Sequence, residues 1–257
     1  MPKPDFLIIG AQKCGTSSLF HYLRQHPDLN LPTLKEIQFF TLDYSRGWKW
    51  YKNQFPHKLF FSRKLTGEAS PYYLFHPLVP ARVANHLPGV KLIVMLRNPV
   101  DRAYSHFWHE KKFKTESLDS FEEAIANEHA RISEEEQKLI NNRIMVSQPY
   151  RSFSYLSRGM YYKQISDWLR FYPIRQMHFI NSEKFFENPE TQLAELYQFL
   201  GIRQIIPVNL TPQNTNTYPA LKAEIRERVA LNFIEDSKKL SELLGDKFIW
   251  NNQLQGT

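Results

Sequence analysis

The sequence of 257 residues is poor in cysteine and has no long apolar run near its N-terminus, and both features narrow the possibilities. Cys14 is the only cysteine, which excludes an internal disulfide and a zinc site built from cysteines, and favours a reducing compartment. The first apolar run, Phe6 to Ile9, is far shorter than the roughly 20 residues that span a bilayer. The sequence therefore predicts a soluble, cytoplasmic protein without a membrane span.

Acidic residues are outnumbered by basic ones, with 26 Asp and Glu against 33 Lys and Arg, a formal net charge of +7. Such a balance predicts an anionic ligand or substrate, of which nucleic acid is one kind. The sequence has no RNA-binding aromatic signature, helix-turn-helix signal or zinc spacing, so we expect no nucleic-acid partner. The histidines are not spaced as H-x-x-x-H or H-E-x-x-H, so we assign no metal.

Alternating strand and helix patterns predict the fold class. The apolar run Phe6–Ile9 precedes a helical pattern over Ser17–Gln25, and Lys91–Met95 precedes one over Asp101–Lys112. Further patterns predict a helix over 161–171, a strand over 177–180 and a helix over 191–200. Together they predict an α/β protein with a three-layer P-loop-type fold, in which helices flank a central parallel sheet.

No repeat, low-complexity tract or Gly/Ser linker divides the chain, so we expect a single domain over residues 1–257. The composition shifts between Leu118 and Tyr150, where acidic residues replace large apolar ones. This predicts a helical, mobile insertion around residues 115–150. The amphipathic pattern from Ala220 to Leu244 predicts one long C-terminal helix.

The first motif lies between the first strand and the first helix and reads Gly10-Ala-Gln-Lys13-Cys-Gly15-Thr-Ser-Ser18. A loop at this position directs backbone N–H groups and the positive end of the helix dipole at one point, which predicts an anion site. Compared with the pattern G-x-x-x-x-G-K-[ST] of nucleoside triphosphate enzymes, Thr16 takes the place of the lysine and Lys13 lies inside the loop. The alternative is a tight turn with a solvated lysine.

The second motif reads Arg97-Asn-Pro-Val-Asp101-Arg-Ala-Tyr-Ser105. Arg97 ends a strand and Ser105 lies on the next helix, so both are able to contact one anion. The alternative pairs Arg97 with Asp101 and leaves Ser105 as a local hydrogen-bonding residue. A kinase that uses Mg-ATP needs a carboxylate where this chain has Arg97, which disfavours that class.

Together the two motifs resemble those of the sulfotransferases that use 3′-phosphoadenosine 5′-phosphosulfate and need no metal. The resemblance implies that Arg97 and Ser105 hold the 3′-phosphate of this donor and that Tyr161 lines its pocket. It also implies that the 5′-phosphosulfate is held by the loop residues Lys13, Cys14, Gly15, Thr16, Ser17 and Ser18.

The segments 35–40, 67–73 and 158–161 extend the resemblance over most of the chain. The first of them is most similar to the branch that contains the heparan sulfate N- and 3-O-sulfotransferases. Those animal enzymes carry a lysine where this chain has Ala69, and a cysteine-bridged cofactor loop that a chain with one cysteine lacks. The resemblance therefore does not extend to heparan-like specificity.

Sulfuryl transfer depends on positioning and charge stabilisation, so we expect Lys13 to meet the charge that builds on the bridging oxygen. The attacking hydroxyl loses a proton, and two residues compete as the base. Glu36 precedes an apolar pair, and partial burial there is expected to raise its pKa. His109 lies one helical turn beyond Ser105. We rank Glu36 first. The alternatives are that Glu36 is an ordinary partner for Lys35 or for a nearby arginine, and that His109 is a half-buried helix histidine.

The sequence thus predicts transfer of a sulfuryl group to a hydroxyl, or an amine, of an unidentified small-molecule or glycan acceptor, with a carbohydrate among the candidates. The alternative is a P-loop nucleotide kinase or phosphotransferase that uses Mg-ATP. Aromatic residues follow the Glu36 segment at Trp48, Trp50, Tyr51 and Phe55. We favour core packing for them over stacking on an acceptor ring.

Overall fold

A computed structural model describes residues 3–56, 63–214 and 217–250. Within these ranges the strands are β1 Phe6–Gly10, β2 Gly67–Ala69, β3 Lys91–Leu96 and β4 Met177–Asn181. They form one sheet in the order β2-β1-β3-β4. Strand β1 pairs in parallel with β2 and with β3.

Helices follow and connect these strands. Among the described residues, none is long and apolar enough to cross a membrane. The α-helices are α1 Thr16–Leu23, α2 Gly47–Lys52, α3 Val79–His86, α4 Pro99–Lys112, α5 Phe121–Ala126, α6 Glu128–Ile132, α7 Glu135–Ile140, α8 Gln148–Ser152, α9 Tyr161–Leu169, α10 Ser182–Glu187, α11 Pro189–Leu200, α12 Ala223–Ala230 and α13 Ile234–Leu244.

The chain divides into two compact units. The first consists of Met1–Met95 and Trp168–Thr215, and the second of Leu96–Asp167 and Asn216–Thr257. The prediction of a single domain stays a prediction. The predicted α/β class, with helices flanking a parallel sheet, is confirmed.

Strand β1 is the centre of the first unit. All five of its residues are buried. A strand that lies between two parallel neighbours needs apolar side chains on both faces, which explains the uninterrupted apolar run. Strand β3 is attached to helix α11 at its first residue. Lys91 donates through Nζ to the carbonyl oxygens of Phe199 and Leu200, 2.7 and 3.0 Å away. This contact places a positive charge at the negative end of α11.

Helix α4 begins in the second unit with two local signals. Asn98 is its N-cap and accepts a hydrogen bond from the N–H of Val100 at 3.0 Å, and Pro99 occupies the first helical position. Both residues favour a helix start at this point. The helix then packs through Val100, Ala103 and further apolar residues into a buried cluster of the second unit.

The C-terminal segment differs from its prediction. Two helices, α12 and α13, stand where one was expected, separated by a 3-10 turn over Leu231–Phe233. Asn232 donates through its side chain to the carbonyl oxygen of Val229 at 3.0 Å, a bond that competes with helix continuation. Phe233 is fully buried in the same cluster as α4, so the break is stabilised by packing.

Helices α5 to α8 occupy the region of the predicted insertion. A capping box starts α5, with the Ser120 side chain bonded to the Glu123 N–H and the Glu123 side chain bonded to the Ser120 N–H. Glu116, which is fully buried, pairs with Arg131 at 2.6 Å and accepts a hydrogen bond from the Tyr155 hydroxyl at 2.7 Å. Side-chain bonds of this kind tie the region to the remainder of the second unit.

Gly67 of β2 provides a test of how closely β2 and β1 approach. A Cβ there would lie 2.6 Å from ring atoms and from the backbone oxygen of Phe6. Gly67→Ala should therefore lower the free energy of unfolding by about 1–3 kcal/mol, the usual cost of overpacking. Gly89→Ala is the control, because a Cβ there meets nothing within 4 Å. Equal urea midpoints for the two variants would contradict this packing.

Candidate active site

The loop between β1 and α1 places two backbone positions in the left-handed region, Lys13 with φ 69° and Gly15 with φ 93°. The second value favours glycine. Within the described residues, Gly15 is the N-cap of α1 without a side-chain hydrogen bond to the first turn, and that turn holds no acidic residue. Its N–H groups and the positive end of the helix dipole therefore suit an anion.

The loop is supported from inside the first unit. A Cβ at Gly15 would lie 2.9 Å from two ring atoms of Phe186. Ser182 donates through Oγ to the carbonyl oxygen of Cys14 at 3.0 Å. The Cys14 side chain is fully buried, and its N–H bonds the carbonyl oxygen of Ala11 at 3.3 Å. Cys14 thus serves the shape of the loop, and its thiol is not available to an external ligand.

Residues 203–214, here called the strap, run along helix α1. Tyr22 donates through its hydroxyl to the carbonyl oxygen of Leu210 at 2.5 Å. Gln25 bonds the backbone of Asn209 in both directions, at 2.8 and 2.9 Å. These contacts hold the strap against the helix that follows the loop between β1 and α1.

The strap ends on two of the hydroxyls that the sequence assigned to the donor. The N–H of Gln213 donates to Ser18 Oγ at 2.9 Å, and Asn214 Nδ2 donates to Ser17 Oγ at 3.1 Å. Sequence reasoning missed Gln213 and Asn214, because they lie almost 200 residues from the loop and match no motif. Both hydroxyls retain a proton to donate, since a hydroxyl accepts and donates at once.

Carboxyl ends of three strands meet at the edge from which the loop emerges. The N–H of Ala11 donates to the carbonyl oxygen of Met95 at 2.7 Å, and the N–H of Ser70 donates to that of Ile8 at 3.1 Å. Ser70, after β2, and Met95, near the end of β3, therefore flank the end of β1. In open parallel sheets, ligands bind at such an edge where the strand order reverses.

Predicted site residues fall into two groups, one in each unit. The first unit holds the loop 13–18 and Glu36, and the second holds Arg97, Ser105, His109 and Tyr161. Within the described ranges, no group of three His, Cys, Asp or Glu residues is arranged to hold a metal ion.

Glu36 is more exposed than expected. Its side chain is 43% exposed and pairs with Lys35 at 2.8 Å, as the ordinary alternative predicted. Its second oxygen accepts a hydrogen bond from Gln38 Nε2 at 3.1 Å. Its backbone also has a left-handed φ of 66°, which periodicity does not reveal. The carboxylate is instead accessible from solvent.

Helix α4 carries Ser105 and His109 one turn apart. Ser105 is buried, whereas His109 is half-buried and packs edge-on against the Phe113 ring, with 4.8 Å between centroids. The Asn98 cap fixes where the helix begins and therefore which residues lie on this face. The predicted spacing of Ser105 and His109 on one helix is present.

Arg97 is anchored through its backbone in the second unit. The hydroxyl of the buried Tyr161 donates to the carbonyl oxygen of Arg97 at 2.9 Å. Asp101, which the alternative interpretation paired with Arg97, forms an ion pair with Arg226. Tyr161 thus fixes the backbone of Arg97 through its hydroxyl.

The aromatic residues after Glu36 pack mainly into the core, as predicted. Tyr51 and Phe55 are buried, and Phe39 stacks on Tyr51 with 4.5 Å between ring centroids. Trp48 and Trp50 are half-buried; Trp48 stacks on His86 at 4.6 Å, and Arg46 lies over the Trp50 ring at 4.3 Å.

Comparison with known proteins identifies the family. The family model described as a sulfotransferase domain matches residues 3–255. A crystal structure of a sulfotransferase from Alicyclobacillus acidocaldarius superposes with a TM-score of 0.79 at 30% identity, covering 95% of this chain and 96% of that one. The fold and the loop after β1 define a P-loop-type transferase. The chain belongs to the sulfotransferase family, as its motifs predicted.

Two curated relatives are longer than this chain. The membrane-associated sulfotransferase kil1 of Dictyostelium discoideum is 28% identical over 97% of this chain and 67% of its own length. The human heparan sulfate glucosamine 3-O-sulfotransferase 3B1 is 32% identical over 85% of this chain. The chain spans about half the length of that human relative, 52%. None of these similarities supports the kinase alternative. The predicted cytoplasmic location stays a prediction.

Arg203, at the start of the strap, should control the ionisation of Asp28. Its Nε and Nη2 lie 2.9 and 2.5 Å from the carboxylate, and these bonds lower the pKa of Asp28 from 3.8 to about 2. Because the pKa is depressed in the folded protein, this contribution to stability is present above the ordinary pKa and is lost as pH falls through about 2. Arg203→Met should return the pKa towards 3.8 in an NMR titration, whereas Arg24→Met should not. A value that stays near 2 in Arg203→Met would contradict this pairing.

Proposed function

We propose that this sulfotransferase transfers the sulfuryl group of 3′-phosphoadenosine 5′-phosphosulfate to a hydroxyl, or an amine, of a saccharide. The observation that carries the donor assignment is the first turn of α1, which follows two left-handed residues and has no side-chain cap among the described residues. A phosphosulfate fits the N–H groups of this turn, the helix dipole and the charge of Lys13.

In this proposal, the two groups of predicted site residues bind different parts of the donor. Lys13 and the N–H groups of the loop bind the 5′-phosphosulfate, and Ser17 and Ser18 donate their hydroxyl protons to it. Arg97 and Ser105 bind the 3′-phosphate, for which a guanidinium fork and a hydroxyl are suitable partners. The Tyr161 bond to the Arg97 backbone supports this role by fixing where the arginine side chain begins.

The donor supplies a sulfuryl group attached to a phosphate leaving group. One bond forms between the acceptor atom and sulfur, and the bond between sulfur and the bridging phosphate oxygen breaks. Lys13 neutralises the charge that develops on the bridging oxygen. Glu36 takes the proton of the acceptor, and its solvent-accessible carboxylate is compatible with an acceptor that arrives from outside. His109 is the second candidate for this base.

A saccharide acceptor is supported by the relatives and by charge. The human relative is a heparan sulfate glucosamine 3-O-sulfotransferase, and its match covers 85% of this chain. The net charge of +7 favours an anionic acceptor. Ala69, where the animal heparan enzymes have a lysine, distinguishes this chain from them at the end of β2.

Donor binding tests the assignment of Lys13 and Arg97. Lys13→Ala and Arg97→Ala should each weaken the binding of adenosine 3′,5′-bisphosphate by roughly 10- to 100-fold, because each removes a charged hydrogen-bond donor to phosphate. Calorimetric titration without magnesium measures this change. The exposed Lys49→Ala and Arg228→Ala are matched charge controls and should bind as the wild type does.

Thermal stabilisation separates the donor proposal from the kinase alternative. The bisphosphate should raise the melting temperature of the wild type without any metal, and Mg-ATP should not. Stabilisation by Mg-ATP alone would replace the proposed donor by a nucleoside triphosphate. Wild-type affinity in both binding-site variants would remove Lys13 and Arg97 from the site.

Transfer of labelled sulfate tests the base and the acceptor atom. With labelled donor and a mixture of heparosan and N-deacetylated heparosan, Glu36→Gln should lower kcat by about 100-fold or more, with donor affinity unchanged. Glu195→Gln, an exposed isosteric change in the first unit, is the control. Loss of turnover in His109→Ala but not in Glu36→Gln would make His109 the base. Labelling of only the deacetylated polymer would identify an amine acceptor.

A further inference from the structure

Glu68, in the middle of β2, is a buried carboxylate with an unusual set of donors. It is fully buried and accepts hydrogen bonds from the hydroxyls of Tyr51, Tyr73 and Ser70 at 2.7, 2.9 and 2.7 Å. Burial raises its pKa, and hydrogen bonds from these hydroxyls and from the N–H of Ile37 oppose the rise. A carboxylate is costly to bury, so the donors around it must be held in place.

The same atoms hold the backbone of residues 36–40, here called the Glu36 turn. The N–H of Glu36 donates to the carbonyl oxygen of Ala69 at 2.9 Å. The N–H of Gln38 donates to Ser70 Oγ at 3.1 Å, and the N–H of Phe40 contacts the Tyr73 hydroxyl at 3.4 Å. With the bond from Ile37 to Glu68, four N–H groups of the turn are attached to the end of β2.

The turn needs such attachment because its backbone is strained. Glu36 and Gln38 have φ values of 66° and 56°, which are uncommon for residues other than glycine. Such conformations persist where neighbouring groups fix them. Ser70 provides the link, because its hydroxyl accepts from Gln38 while it donates to Glu68.

The fixed turn also orients the Glu36 carboxylate. Gln38 Nε2 donates to one of its oxygens at 3.1 Å, and Lys35 Nζ donates to the other at 2.8 Å. The Gln38 amide is itself held, since its Oε1 accepts from Thr41 Oγ1 at 2.7 Å. Glu68 is therefore linked to Glu36 through Ser70, which bonds the Gln38 backbone, and through the Gln38 side chain, which bonds Glu36.

We propose that Glu68 is a positioning residue that acts through Ser70 and Gln38 to hold Glu36 where it takes the proton of the acceptor. This inference rests on the proposed function, in which Glu36 is the base. Glu68 does not touch the reacting atoms, and its effect on turnover passes through the Glu36 turn.

Turnover and donor affinity, measured separately, test this role. Ser70→Ala and Glu68→Gln should each lower kcat for labelled sulfate transfer by about 10- to 100-fold, the effect expected when a reacting group is misplaced by about 1 Å. The affinity for adenosine 3′,5′-bisphosphate should stay within about twofold, because the anion-binding loop is untouched. Thr66→Val is the matched control: it removes a buried hydroxyl at the opposite end of β2, where Thr66 donates to the Asn30 carbonyl oxygen at 2.6 Å.

A double-mutant cycle separates positioning from a structural role. In a Glu36→Gln background, Ser70→Ala should change kcat by less than about twofold, because residues that act as one unit are not additive. An equal loss of kcat with and without the Glu36 carboxylate would overturn the proposal, as would wild-type kcat in both Ser70→Ala and Glu68→Gln.

Amide hydrogen exchange tests the geometry without any acceptor. The N–H of Gln38 should exchange about 10-fold faster or more in Ser70→Ala than in the wild type, while amides of β1 keep their protection. Unchanged protection at Gln38 would overturn the proposal even in an inactive enzyme. A wild type that neither binds the bisphosphate nor transfers sulfate would instead refute the proposed function, so the two failures are distinguishable.

Discussion

Parallel pairing of β1 with both β2 and β3 is the constraint that positions the loop after β1 and the Glu36 turn. The strand is buried throughout, and its neighbours approach so closely that Gly67 leaves no room for a methyl group beside Phe6. Because parallel strands end at the same edge, the residues after β1 and β2 lie beside the end of β3, and bonds such as that from the Ala11 N–H to the Met95 carbonyl oxygen fix them there. The loop between β1 and α1 and the Glu36 turn both take their positions from this edge.

Left-handed backbone occurs in both segments that carry the proposed chemistry of the first unit. Lys13 and Gly15 have positive φ values in one segment, and Glu36 and Gln38 in the other. In the loop, this backbone leads into the first turn of α1, which has no side-chain cap among the described residues and suits the proposed anion. In the Glu36 turn, the N–H groups donate to residues at and after the end of β2, while the Glu36 carboxylate is accessible. The same local conformation therefore accompanies a proposed binding role in one segment and a proposed orienting role in the other.

Sequence patterns predicted the elements that carry strong local signals. The apolar run Phe6–Ile9 indicates a buried strand, and Asn98-Pro99 indicates the capped start of α4. Each signal lies within a few consecutive residues, so both elements can be predicted without tertiary information. The exposure of Glu36 and the break before Phe233 were not predictable, because the first depends on a left-handed φ and the second on burial in a cluster that distant segments build. The motif that contains Glu68 indicates only a family resemblance in the sequence. Its hydrogen bonds to the Glu36 turn join distant segments, so only the structure shows them.

The strap makes the hydroxyls of Ser17 and Ser18 directional. A free serine hydroxyl rotates and exchanges hydrogen bonds with water, whereas a hydroxyl that already accepts a hydrogen bond has fewer favourable orientations for its proton. Gln213 and Asn214 supply those bonds at 2.9 and 3.1 Å. The remaining O–H of each serine is then a preorganised donor beside the N–H groups of α1, and preorganisation reduces the entropy lost when a ligand binds. A segment without a recognisable motif thus contributes to the anion site proposed for the glycine loop.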